Sequence, residues 1–400
     1  MGANIVCVTS SGGLPIFSRK IGNVESLSFS TIGSLNGVHL FGKSKGLLLE
    51  STETENSTVV WKEYDDSLIL ICVALMNSKV IVEEIIETVY NALIVFVGSN
   101  EIKSFKNVER FKRSLRPAHP IIDCILECLD FGDRNTNLDL LKLVESILCR
   151  EGKTLQIALD SFVEVIGTEF GCLTIENCVA AATDGWWSLA GIERKILSHV
   201  VRSSSHCTSF DMPIYLPLKS PTVPLRLVSV CLINPIRVNI LCGSTPDLSV
   251  ISQKSFQCWS PIVDTLKLAV QSHPRNIPSN LGFHDSINGF LLVNMSMGKF
   301  LLCTSLKSTK KDSKSCAETL KTFYYNAARI FEKNETLHQP LETYWVAEYH
   351  KLHAIKEGDD LICVLFHSGI PTPCMRLISR ETLNIIVSQG ELDWSRSSSK

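Results

Sequence analysis

Few residues in this chain could do chemistry, and their spacing does not match a catalytic or metal site. His350 and His353 lie three residues apart near Glu348, but their segment has the pattern of a strand or turn, and no Cys or His pair completes a zinc-like spacing. Cys124 and Cys128 lack the Cys-x-x-Cys arrangement. The sequence has no phosphate-binding P-loop, nucleophile elbow or dinucleotide-binding glycine motif. It therefore predicts a protein that is not an enzyme and that holds no metal or cofactor.

The most informative segment is residues 29–42, which has the pattern of a helix with two glycines in its interior. Each glycine costs roughly 1 kcal/mol relative to alanine there, so the pair needs a compensating gain. Ser30, Gly33 and Gly37 form one narrow stripe of small residues. A broad apolar side carries Ile32, Leu35, Val38 and Phe41. We expect the apolar side to face its own domain, and the stripe either docks a partner or lets the helix lie close to its own sheet.

Two adjacent tryptophans, Trp186 and Trp187, follow Asp184 and Gly185 at a predicted helix start. Paired aromatic residues at such a position are typical of energetically dominant interface residues, which suggests a partner anchor in the second domain. The alternative is that Asp184 or Gly185 caps the helix, one indole enters the core and the other is half-buried.

One concentrated basic patch lies in the last third of the chain and consists of Lys307, Lys310, Lys311 and Lys314. Such a cluster can contact phosphoinositide headgroups, and each cation near an anionic surface contributes about 1 kcal/mol. Because the run joins a predicted strand to a predicted helix, it also fits an ordinary solvated turn.

The order of predicted elements indicates the scaffold. A hairpin, a helix, three strands and a further helix occur in this order three times at a spacing of roughly 130 residues. That order predicts an α/β protein of the α+β type, in which each of three longin-like domains has a five-stranded antiparallel sheet flanked by helices. We place the domains at residues 1–150, 151–275 and 280–400, because glycine- and proline-containing stretches separate them.

Several local predictions accompany this architecture. Residues 137–149 have the pattern of a helix that closes the first domain, and residues 220–224 that of a proline-containing loop. In the last domain, residues 343–352 and 375–378 have the pattern of strands. No final amphipathic helix is evident in residues 390–400.

Composition places the chain among globular proteins without a general affinity for polyanions. Lys and Arg number 39 against 41 Asp and Glu, so the net charge of −2 gives no global attraction to nucleic acid. The 15 cysteines are spread through apolar runs, which favours a reducing compartment over a disulfide scaffold. Residues 1–6 do not have the pattern of a secretory signal, and no apolar stretch reaches the ~20 residues that span a bilayer. We expect a cytoplasmic protein.

Five segments resemble a known family of planar cell polarity effectors that contain three longin domains. They are Phe29-Ser-Thr-Ile-Gly-Ser-Leu-Asn-Gly-Val-His-Leu-Phe-Gly42, Thr58-Val-Val-Trp-Lys62, Asn107-Val-Glu-Arg110, Val179-Ala-Ala-Ala-Thr-Asp-Gly-Trp-Trp187 and Ser220-Pro-Thr-Val-Pro-Leu-Arg226. The similarity is close over the first two thirds and weakens to spacing and hydrophobic pattern in the last third.

The resemblance implies a function as well as a fold. It implies membership of the ciliogenesis and planar polarity effector complex, with Inturned as direct partner, Fritz as a further subunit and a Rab-family GTPase as the target of guanine nucleotide exchange by the pair. It also implies roles in cilium assembly, Hedgehog signalling and intraflagellar and vesicle transport, at the cytoskeleton and the basal body at the ciliary base. An alternative is a pure scaffold or trafficking adaptor that recruits intraflagellar transport proteins without contributing to exchange.

In paired exchange factors of this type, the first domains join through their first helix and third strand. Carried onto this chain, that pairing assigns the partner-binding platform to Ser30, Gly33, Asn36, Gly37, His39, Val59, Trp61 and Lys62, with residues 59–62 as an edge strand.

Overall fold

The computed structural model describes residues 2–75, 79–127, 129, 140, 142–304, 310–333, 341–388 and 394, with the backbone alone at 310–314, 332 and 333. Three sheets with flanking helices follow one another along the chain, and nearly all of their strand pairs are antiparallel. The predicted α/β architecture is confirmed. Among the described residues, one compact unit combines the first sheet and its helices with residues 192–206 and 212–226, and a second unit contains the remainder.

The first sheet has the strand order β2-β1-β5-β4-β3. Its strands are β1 (Gly2–Thr9), β2 (Pro15–Gly22), β3 (Ser51–Glu53), β4 (Ser57–Tyr64) and β5 (Leu68–Leu75). The helices are α1 (Phe29–Ser44), α2 (Lys79–Ser104), α3 (Val108–Ser114) and α4 (His119–Leu126). Strands β1 and β5 are almost entirely buried because helices cover both faces of the sheet.

The alternation along β4 separates the two faces. Trp61 belongs to the core cluster beneath α1, whereas Lys62 and Tyr64 point to the opposite face and contact α2. There Tyr64 stacks on Tyr90 with ring centroids 3.7 Å apart, and the Tyr90 hydroxyl donates to Asp65 at 2.6 Å. Helix α1 is therefore the cover of one face, and α2 lies on the other.

Helix α2 is interrupted at Gly98, whose φ of 77° is not helical. A Cβ atom at this position would lie 2.9 Å from the ring of Tyr215, so only glycine fits both the backbone and the neighbouring ring. Helix α2 is therefore kinked at this glycine.

The second sheet has the strand order β8-β7-β11-β10-β9. Counting from β6 (Val144–Glu145), the elements in chain order are α5 (Gly152–Ile166), β7 (Phe170–Ile175), β8 (Cys178–Ala182), α6 (Asp184–Trp187), α7 (Gly191–Ser203), β9 (Ser209–Leu216), β10 (Ser220–Ile233), β11 (Ile236–Cys242), α8 (Leu248–Trp259) and α9 (Val263–Val270). A tight turn at Glu176 and Asn177, both with positive φ, joins β7 to β8. Residues 220–224 are not a loop but the start of β10, since prolines are tolerated at a strand's beginning and edge.

The third sheet has the order β14-β15-β16-β12-β13-β6. Its further elements are β12 (Ile287–Asn294), β13 (Lys299–Cys303), α10 (Lys310–Lys333), β14 (Leu341–Val346), β15 (His350–Glu357), β16 (Asp360–His367) and α11 (Thr372–Ser388). The predicted strand over residues 343–352 is wrong in one respect, because a turn at 348–349 divides it into β14 and β15.

The predicted helix over 137–149 is wrong where the structure describes it. Val144 and Glu145 pair in parallel with β13, and Ser146 forms a single bridge to Val179 of β8. An extended segment can form backbone hydrogen bonds with strands on both of its sides. A helix uses its amides and carbonyls within itself and cannot bridge two strands in this way. The predicted domain boundary at residue 150 stays a prediction, but β6 is a strand of the third sheet.

The predicted strand over residues 375–378 is also wrong, because these residues lie in α11. Met375, Ile378 and Leu383 are buried on one side of this helix, which supplies the final amphipathic helix that the pattern did not reveal in residues 390–400. A four-residue segment with three apolar residues and one arginine fits a strand and part of a helix equally well, and here the longer 3.6-residue period decides.

Trp394 contacts two strands of the third sheet, β16 and β13. Its buried indole donates to the Asp360 carboxylate at 3.1 Å, and its carbonyl accepts from the Lys299 ammonium at 2.7 Å. The same ammonium lies 4.7 Å from the Trp394 ring and 5.4 Å from the Trp187 ring. Trp394 is therefore a structural residue of this domain.

We expect Trp394→Ala to lower the free energy of unfolding of the third domain by about 3–5 kcal/mol, the usual cost of removing a buried tryptophan. Amide hydrogen exchange of β12 and β16 measures this loss, and Trp394→Phe should retain most of the protection. Unchanged exchange in Trp394→Ala would contradict the structural role.

Candidate partner-binding surface

Helix α1 forms because its start is well capped, not because its residues favour helix. The Ser28 hydroxyl accepts a hydrogen bond from the Thr31 amide at 3.1 Å, and Ser28 itself is extended. The chain then turns at Gly46, whose φ is 72°. Apolar residues occur around the whole circumference of α1, so burial of one side leaves apolar surface on the other.

The inner side of α1 is held against the sheet by packing and by one indole hydrogen bond. Ile32 is buried among Val6, Val8, Ile69 and Ile71. The Trp61 Nε1 donates to the Leu35 carbonyl at 3.1 Å. This bond fixes the middle of the helix over β4.

Asn36 and His39 belong to this inner side and not to the stripe of small residues. Asn36 lies so close to the turn at Gly13 that a Cβ there would be 2.3 Å from its Nδ2. His39 is 1% exposed, and its Nδ1 lies 3.3 Å from the Leu49 carbonyl oxygen. The assignment of both residues to a partner contact is corrected, since they attach α1 to its own domain.

The outer side of α1 is bare within the part of the chain that the structure describes. Ser30, Gly33 and Gly37 are exposed, and a Cβ atom at either glycine would meet no atom within 4 Å. Close packing of the glycines against their own sheet is therefore wrong as an explanation. Val38 and Phe41 are 58% and 67% exposed on the same side. We call Ser30, Gly33, Gly37, Val38 and Phe41 the α1 outer surface.

Val38 and Phe41 were expected to face their own domain. The structure instead uses Ile32 with the polar Asn36 and His39 as the inner side, and Leu35 is only half-buried. The signal in the sequence was the polar pair itself, whose spacing continues from Ile32 on one helix face. A prediction from hydrophobicity alone therefore placed Val38 and Phe41 on the inner side of α1, which is wrong.

The three predicted residues of β4 have internal roles as well. Trp61 is 6% exposed and belongs to the core, Val59 packs beside it, and Lys62 pairs with Glu87 of α2. The pairing with Lys62 and hydrogen bonds from Tyr64 and Asn91 lower the pKa of Glu87 although burial opposes them. β4 is not an edge strand, because β3 pairs with it from Thr58 to Val60.

The burial of α1 differs from that of α7, the helix at the corresponding place in the second domain. In α7, nine of 13 residues are buried, whereas in α1 only three of 16 are. Both helices follow the first hairpin of their domain. The bare outer side of α1 is thus not a general feature of this position in the fold.

The two tryptophans are largely covered by their own unit, whereas a partner anchor needs exposed side chains. Thr183, not Asp184 or Gly185, caps α6, since its hydroxyl accepts from the Trp186 amide at 3.3 Å. Trp186 is buried in its own unit, and Trp187 is half-buried against Lys299. Of the two, only Trp187 presents surface.

The basic patch is described in part. Lys307 lies outside the described residues, and Lys310, Lys311 and Lys314 occupy the first turns of α10, where the structure describes the backbone alone. The phosphoinositide contact stays a prediction.

The histidines near residue 350 form no metal site in the described structure. His353 is buried, its Nδ1 lies 3.0 Å from the Ser379 hydroxyl, and burial lowers its pKa although Glu342 opposes this. No cluster of three or more His, Cys, Asp or Glu side chains with metal-binding geometry occurs among the described residues. Within the same residues, no helix is both long and apolar enough to cross a membrane.

Comparison with known proteins identifies the three domains. Family models for the first, second and third longin domains of FUZ, MON1 and HPS1 match residues 3–125, 167–260 and 286–390. Three sheets with these matches define a protein of three longin domains.

The relatives narrow the class further. The chain is 32% identical to the protein fuzzy homolog of Xenopus tropicalis, over 95% of this chain and 96% of the relative. It is 36% identical to the human protein fuzzy homolog, over 80% and 78% of the two chains, and 32% identical to that of Rattus norvegicus, over 96% and 97%. The chain belongs to the Fuzzy family of planar cell polarity effectors.

Proposed function

We propose that this chain is the subunit that pairs with Inturned to form a guanine nucleotide exchange factor for a Rab-family GTPase, in a complex that also contains Fritz. The α1 outer surface carries the proposal. A helix of 16 residues is about 24 Å long, which suits one side of an interface of standard size. The two glycines have no side chains, so a second helix or strand can approach the backbone of α1 closely beside the exposed apolar side chains.

The proposed activity needs no catalytic residues on this chain. An exchange factor binds the nucleotide-free GTPase more tightly than the loaded form, and this difference in affinity releases GDP. The chain contributes by holding its partner in the orientation that completes the GTPase-binding surface. We therefore assign it a non-catalytic role in exchange.

Release of a fluorescent GDP analogue from Rab GTPases tests this function. The assay compares this chain alone, Inturned alone and the co-purified pair at equal concentration. We expect acceleration by the pair only. A stable pair that leaves GDP release unchanged would contradict the exchange function and favour a scaffold that recruits intraflagellar transport proteins.

The proposed place of action is the cytoplasm at the ciliary base, where the complex would support cilium assembly, planar polarity and Hedgehog signalling. Membrane contact there is assigned to Lys307, Lys310, Lys311 and Lys314. Replacement of all four by serine should weaken flotation with phosphoinositide vesicles by tenfold or more, since each lysine contributes about 1 kcal/mol. Vesicles of neutral lipid are the control, and equal flotation of both proteins would contradict this contact.

A further inference from the structure

The three sheets have six edge strands among the described residues, and most carry a feature that discourages pairing with another chain. In the first sheet, β2 carries Arg19 and Lys20, and β3 is only three residues long. In the second, β9 contains Pro213, and β8 is bridged to Ser146. In the third, β6 has two residues. Charges, prolines and short length are the usual protection of an exposed edge.

Strand β14 has less of this protection, since its one charged residue, Glu342, pairs with Arg376 of α11 at 3.1 Å. It contains no proline, lysine or arginine, and its six residues include Tyr344, Trp345 and Val346. Tyr344 and Val346 are each 57% exposed, and Tyr349 in the following turn is more exposed still. Trp345 is partly held by an edge-on contact with Phe323 of α10, 5.0 Å between ring centroids. An apolar edge of this kind is suited to accept a further strand.

The backbone register shows which groups such a strand would meet. The Ala347 amide donates to the His350 carbonyl at 3.0 Å at the turn, and Trp345 stands opposite Leu352. Because hydrogen-bonding direction alternates along an antiparallel strand, the amides and carbonyls of Tyr344 and Val346 point away from β15. Their side chains lie on one face, so the edge offers backbone groups and an apolar pair in register.

We propose that the β14 edge binds an extended segment of a partner protein as an added strand of the third sheet. The segment would place apolar residues at alternate positions beside Tyr344 and Val346. The exposed Glu348 carboxylate, in the turn next to this pair, favours a basic residue at that end of the segment. This site is separate from the α1 outer surface and does not depend on the exchange function.

The size of the edge argues against a second copy of this chain as the occupant. A strand of six residues is about 20 Å long, and a contact through such an edge alone falls below the ~1,200 Å² of a stable interface. A flexible segment tethered to a larger partner is under no such limit, since other contacts can supply the remaining affinity.

The probe for the test is a synthetic decapeptide of alternating valine and threonine with a lysine at each end. It is added to the full chain, and amide hydrogen exchange is followed at Tyr344 and Val346. We expect slower exchange at both amides. A peptide of the same sequence with alternate backbone nitrogens methylated should give no protection, because it has the side chains without the donors.

Two variants at one position separate backbone pairing from side-chain contact. Val346→Pro removes an outward amide without removing a hydrogen bond to β15, and we expect about tenfold weaker peptide binding. Val346→Thr keeps the amide and should bind nearly as the parent chain does. Absence of protection at saturating peptide, or equal binding by Val346→Pro, would overturn the proposal. Dimerisation of the parent chain that Val346→Pro abolishes would assign the edge to a second copy and would also overturn it.

Discussion

Gly37→Leu should abolish co-purification with Inturned while the chain becomes slightly more stable. The Cβ position at Gly37 is open, so leucine fits the isolated chain, and replacing glycine inside a helix favours folding by up to about 1 kcal/mol. In a complex, the same side chain would fill the space that the partner occupies. An overpacked contact costs up to about 3 kcal/mol, which weakens binding roughly a hundredfold.

The opposite signs of these two effects make the experiment decisive. Thermal unfolding followed by circular dichroism measures stability, and pull-down with titrated Inturned measures binding. Gly243→Leu is a matched control, because Gly243 also has no atom within 4 Å of its Cβ position and lies far along the chain from α1. Normal binding by Gly37→Leu would show that the partner does not cover this part of the helix.

Trp61→Ala is expected to lower the free energy of unfolding of the first domain by about 3–5 kcal/mol. The substitution leaves a cavity between α1 and the sheet and removes the hydrogen bond to the Leu35 carbonyl. Urea unfolding with hydrogen exchange of β1 and β5 measures the loss for this domain. Val59→Ala on the same face should cost much less, because Val59 is only partly buried.

This second experiment also decides how Trp61 affects the partner. If Trp61 acts through the core, Inturned binding will fall in proportion to the unfolded fraction of the first domain and recover under stabilising conditions. If Trp61→Ala loses Inturned binding while the first domain keeps its stability, Trp61 contacts the partner directly, as the resemblance implied. The structure favours the first result, since the indole is enclosed by its own domain.

The sequence was a sound guide to architecture because periodic patterns report which residues are buried. The order of hairpin, helix and strands was predicted, and the glycine-bearing helix, predicted over residues 29–42, spans Phe29–Ser44. The predictions failed where a short segment was ambiguous, as at residues 375–378, or where a distant strand decided the outcome, as for β6 beside β13. No local signal reports pairing between residues 144 and 299.

The candidate surface was predicted in part. The stripe of Ser30, Gly33 and Gly37 was correctly separated from the inner side, but its neighbours were not. Asn36 and His39 are polar and nonetheless buried, whereas Val38 and Phe41 are apolar and exposed. A helix that is apolar on both sides contains too little contrast to show which side meets its own sheet, so the packing of Trp61 and Leu49 had to decide.

Photocrosslinking tests the proposed contact between α1 and Inturned directly. A photoreactive amino acid at Gly33 fits the open space of the folded chain, and the same residue at Gly243 provides the reference. In the co-purified complex, we predict an adduct with Inturned from position 33 and none from position 243. An intact complex that gives no adduct from position 33 would contradict the assignment of the α1 outer surface as the partner-binding surface.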